Sequence, residues 1–105
     1  MTGQEVHLFL AAGGINYLHH ANSVKTSNSI IRLGALASRG AVEKNELPQS
    51  WQYSDAADKK YGIWNDVFLD APDFHRRISN PNQYGPVTFE LGIDVLLSLP
   101  QGSRV

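Results

Sequence analysis

The chain has 105 residues, enough for one packed domain rather than two. Hydrophobic residues make up 42%, with two Trp, four Tyr and four Phe, which is too apolar for an intrinsically disordered chain. A formal charge of -1 excludes a global basic footprint for nucleic acid or anionic membrane, and the lack of cysteine excludes disulfides, thiolate metal sites and a Cys nucleophile.

The opening MTGQEVHLFLAAGG carries Glu5 and His7 where a signal peptide has a basic leader, and its apolar run is short. No apolar run approaches the roughly 20 residues that span a bilayer. The expectation is a cytoplasmic protein with no membrane partner. Within residues 5–11, Val6, Leu8 and Leu10 alternate with His7 and Phe9, which predicts a strand. Gly13-Gly14 then predicts a hairpin turn into a second strand over about residues 15–20. ANSVKTSNSIIRLG reads as a loop entering a short helix. Ser27, Asn28 or Ser29 caps it, Ile30, Ile31 and Leu33 form its apolar side, and Gly34 ends it. Pro48 marks a surface loop.

Ser54 is placed to cap a second helix through DAADKKYG, whose acids come early and lysines late, matching the helix dipole. IWNDVFLD reads as a strand with Trp64, Val67 and Leu69 partly buried, closed by Pro72. DFHRRISNPNQYGP is a loop with strong turn signals. VTFEL alternates Val87, Phe89 and Leu91 against Thr88 and Glu90 as another strand, and GIDVLLSLP is a short helix or extended run. The fold class expected is α+β, a mainly antiparallel sheet of four strands with two or three short helices, in a single domain over residues 1–105.

Dinucleotide, P-loop, zinc-protease and nucleophile-elbow motifs are all missing from the sequence. His19 and His20 are the first positive feature. Neighbours on a strand point to opposite faces, so only one of them serves a given pocket and the pair cannot chelate one metal. Asp66, Asp70, Asp73 and His75 lie within ten positions and are of the types that hold Mg²⁺ or Mn²⁺ in a nuclease. The simpler account has these acids solvated or paired with Arg76 and Arg77. Trp51, Tyr53, Tyr61, Trp64 and Phe68, interleaved with Lys59 and Lys60, are suited to stacking on bases, or to ordinary packing of a small core.

The order of these features resembles a family. A strand ends in His20-Ala21-Asn22, a helix carrying SIIRLGALASRG follows, and YGIWNDVFLD and YGPVTFEL come later. This is similar to the N-terminal part of the DarT-type ADP-ribosyltransferases, in which a strand-end H-x-T leads into an S-I-L-x-x-G-L-x-S-like helix and later a D-Y-V-P-F-Y-F-like strand. The resemblance covers residues 15–91 and implies an NAD-binding cleft and a macromolecular target of modification. Carried over by position, His20 contacts the ADP-ribose part of NAD, Ser38 and Arg39 lie near the cleft, and Asp66 to Phe68 lie on its second strand. Glu90 is the acid on a late strand and takes the catalytic place. Asn22 stands where the family has Thr, and Glu90 comes earlier than the family's acid, so an inactive, degenerate form is part of the same expectation. The alternative reading is a small non-enzymatic interaction module, paired as a homodimer through an exposed sheet edge.

Overall fold

A computed structural model describes residues 1–71 and 85–105. The fold is α+β. Its described elements are α1 (Gly3–Ala12), β1 (Tyr17–Asn22), α2 (Val24–Leu33), α3 (Arg39–Lys44), α4 (Asp55–Lys60), β2 (Val87–Gly92) and a 3-10 helix (Ile93–Ser98). β1 and β2 pair as a two-stranded antiparallel sheet. On β1, His19 also forms an antiparallel bridge with Asp70.

The first element corrects the sequence expectation: residues 5–11 are helical, not a strand. Thr2 accepts from the Glu5 N–H, and the Glu5 carboxylate accepts from the Thr2 N–H, a reciprocal capping box. With the first turn so closed, Val6 and Leu10 fall one helical turn apart on one face, and Leu8 and Phe9 face water. Gly13 and Gly14 end this helix; they are not the turn of a hairpin.

The chain divides into two compact units. In the first, α1 packs on the 3-10 helix, beside residues 17–20 of β1, 69–71 and 89–92 of β2. Leu18, Ile93 and Leu96 are buried there, with Val6, Leu10, Ile15, Leu69, Ala71 and Val95 packed around them. Each fully buried Leu or Ile contributes roughly 1.5–3 kcal/mol. Gly3 faces the Leu96 carbonyl so closely that a Cβ would collide with it, which lets the two helices meet backbone to backbone. His7 Nε2 and Asp94 Oδ1, 2.8 Å apart, tie the same pair of helices at their rim.

The second unit has a different interior. Its described buried hydrophobic side chains are Ile30 and Val42, and Asn22, Thr26, Ser27, Ser29 and Ser38 are buried in the same unit. Hydroxyls work there as linkers. Ser50 N–H donates to Thr26 Oγ1 at 2.9 Å, and Ser29 Oγ donates to the Pro48 carbonyl. The α2 cap is Ser23, four residues before the earliest expected cap; its Oγ accepts from the Thr26 N–H. Ser27 and Ser29 lie inside the helix, on its buried side. Gly34 ends α2 as expected, in the left-handed region at φ 73°. α4 begins after Ser54, yet the Ser54 side chain makes no capping bond; Asp55 instead accepts from the Gln52 N–H. Residues 63–69 are not the expected strand. The Asp66 N–H turns back to the Ile63 carbonyl, the Trp64 carbonyl accepts from the Gly40 N–H, and Val67 and Phe68 are exposed. The sheet therefore has two strands among the described residues, not four.

Candidate functional site

In the first unit, the sheet separates the two histidines. The His20 ring lies beside Phe89, centroids 6.3 Å apart, while the His19 ring lies beside Glu90. Side chains alternate along both strands, so His20 with Phe89 occupies one face and His19 with Glu90 the other. This is the opposite-face geometry expected of adjacent strand residues. It also means that Glu90 and His20, grouped by the resemblance, are not brought together. His19 is the residue that sequence reasoning set aside. Its Nε2 is 3.2 Å from Glu90 Oε2 and its Nδ1 is 3.0 Å from the Ala71 carbonyl, with only 12% of the side chain exposed. Only the β1–β2 register could have revealed it, and no single strand carries that information.

The remaining nominated residues belong to the second unit. Ser38 is the N-cap of α3 and accepts from the Ala41 N–H at 3.1 Å. Arg39 follows it and turns inward. Its Nη2 donates to the Ser50 carbonyl at 2.7 Å and to Asp55 Oδ2 at 2.9 Å, and its guanidinium lies 5.3 Å from the Trp64 ring centre. Nε is 2.7 Å from Asp55 Oδ1, a charge contact off the hydrogen-bond direction. Each member of this pair has a side chain only 14% exposed, so the ion pair is part of the unit's interior. Asp66 and Phe68 are both exposed on the irregular run.

Next to Arg39, Glu43 is held below the usual carboxylate range. The Trp64 indole N–H donating to it at 2.8 Å is the first cause, and Lys59 at 3.3 Å adds to it. Lys59 also sits 4.4 Å from the Trp64 ring centre. Trp64 is therefore a hub among Arg39, Glu43 and Lys59. Trp51 and Tyr53, by contrast, project into water as an edge-to-face pair with centroids 4.8 Å apart. Of the metal-site residues considered, Asp73 and His75 lie outside the described residues. Among the described residues, no cluster of three His, Asp or Glu could hold a metal ion. No described helix is long and apolar enough to cross a membrane.

Comparison with family models, curated proteins and solved structures returned no match to this chain.

Proposed function

We propose that the chain is an NAD-binding domain of ADP-ribosyltransferase type in its degenerate form, binding NAD without transferring ADP-ribose. One observation carries the reading: His20 near the end of β1 runs directly into α2, capped by Ser23 and stopped at Gly34, and Ser38 then caps α3. That is the strand–helix–serine order of the family resemblance. Phe89 on the His20 face adds an aromatic surface against which a nicotinamide ring can pack. Ser38, Arg39, Asp66 and Phe68 stand as further NAD-side residues by the family resemblance alone; they belong to the second unit, where Arg39 is paired with Asp55. Glu90 is the reason for the degenerate form. A transferring acid must meet the ribose held by His20, and Glu90 lies on the opposite face of the sheet, beside His19. The compartment proposed is the cytoplasm.

Calorimetric titration with NAD tests the binding. Heat is expected for the wild type up to millimolar NAD and is expected to vanish in His20→Ala; no heat from the wild type removes the proposal. NAD consumption is expected to be at background in both the wild type and Glu90→Ala. Turnover that Glu90→Ala abolishes would restore an active transferase, with a macromolecular target.

A second reading, a homodimeric interaction module, draws on α1. Leu8 and Phe9 are 64% and 73% exposed side by side, an apolar surface of the kind a second copy covers. A strict monomer by light scattering at high concentration removes it.

A further inference from the structure

We infer that His19 is a proton-dependent clip: with both ring nitrogens protonated it fastens Glu90 and Ala71 to β1, and on losing one proton it releases Glu90. The backbone first fixes the ring's position. His19 N–H donates to the Asp70 carbonyl at 2.7 Å, and Asp70 N–H donates back to the His19 carbonyl at 2.9 Å. The ring then sits between two oxygens, the Ala71 carbonyl at Nδ1 and the Glu90 carboxylate at Nε2. A carbonyl only accepts, and so does an ionised carboxylate. Both contacts are hydrogen bonds only when both ring nitrogens donate, and only the protonated imidazole does that. The neutral ring keeps one N–H. One of the two contacts then sets lone pair against lone pair.

Exposure decides which contact gives way. The Ala71 carbonyl is a main-chain group next to the Asp70 bridge, whereas the Glu90 side chain is 51% exposed and can turn to water. Among the described residues, the charged and titratable groups around the ring are Glu90 from β2, Asp70 with an exposed side chain on the bridged segment, and His20, whose ring lies on the other face beside Phe89. The sign follows. The clip contributes while the ring is protonated and the carboxylate ionised. It opens when either of these conditions is lost.

Glu90→Gln is the discriminating variant. An amide can donate to an unprotonated Nε2 while Nδ1–H still donates to Ala71, so the variant clip closes around a neutral ring. Melting temperature and ¹⁵N imidazole spectra of both proteins, followed from about pH 5 to 8, decide the matter. The His7–Asp94 pair is common to both proteins and cancels in the comparison. Across that range the wild type is expected to lose about 4–8 °C more than Glu90→Gln. Its His19 should pass from two protonated ring nitrogens to one, with Nδ1–H kept throughout in the variant. Parallel melting curves overturn the clip. If Glu90→Gln does not fold, the wild-type spectra decide alone: a His19 ring already neutral at the acid end overturns the clip, and a doubly protonated one supports it. Neither readout involves NAD, so the clip and the NAD proposal fail separately.

Discussion

Glu43 shows how one donor sets the behaviour of an exposed residue. A hydrogen bond to the ionised carboxylate favours that form, and the Trp64 indole N–H supplies one at 2.8 Å. Because the folded value is lowered, whatever Glu43 contributes is present above the usual carboxylate range and lost as the solution is acidified. Trp64→Phe keeps a ring but removes the N–H. Carboxyl ¹³C titration should then show Glu43 moving up toward its ordinary value, and an unmoved curve would shift the cause to Lys59. Nothing in the sequence joins residue 43 to residue 64; the turn at Ile63–Asp66 and the Gly40–Trp64 backbone bond bring them together. The histidines were more legible. Alternation alone says that one of them faces each side. It cannot say which of the two meets Glu90, because that depends on how β1 and β2 are registered.

At the scale of elements, the signals that survived were those needing no partner. Gly34 ends α2 because its left-handed φ of 73° favours the residue without a Cβ, and the sequence shows this directly. Gly34→Ala has open space for its methyl group, so the backbone alone sets the cost. The expected loss is about 1 kcal/mol, read from a denaturant midpoint. A neutral result would mean that the end of α2 rearranges. α1 departs from its expected strand for a related reason. Val6, Leu8 and Leu10 satisfy a strand pattern, yet Val6 and Leu10 satisfy a helix equally well, and the two periods coincide at that spacing. The deciding signal was local and already in the sequence: Thr2-x-x-Glu5 is a capping box, and it closes the first turn. The run over residues 63–69 went the other way. Its β-rich composition is real, but the Trp64 carbonyl accepts from Gly40 and the Ile63 carbonyl from Asp66 in its own turn, and it is Asp70 after the run that bridges β1.

At the scale of the whole molecule, stability rests on few side chains. The described buried hydrophobic residues are Leu18, Ile93 and Leu96 in the first unit and Ile30 and Val42 in the second. A domain of this length holds a net stability of about 5–15 kcal/mol, so a single large cavity removes a substantial part of it. Two pairs of sequence neighbours expose the contrast. Ile30 is 3% exposed and Ile31 65%; Leu96 is 5% exposed and Leu97 54%. Composition and hydropathy cannot separate the members of either pair, and only the turn of the helix does. Ile30→Ala and Leu96→Ala should each cost about 2–5 kcal/mol, the transfer loss plus an unfilled cavity. Ile31→Ala and Leu97→Ala should stay within about 0.5 kcal/mol of the wild type, since their side chains are already largely in water. Urea denaturation of the four variants checks this. Equal losses within a pair would mean that the exposed member is covered in solution. For Ile31 or Leu97, a loss that grows with protein concentration would identify the cover as a second copy of the chain.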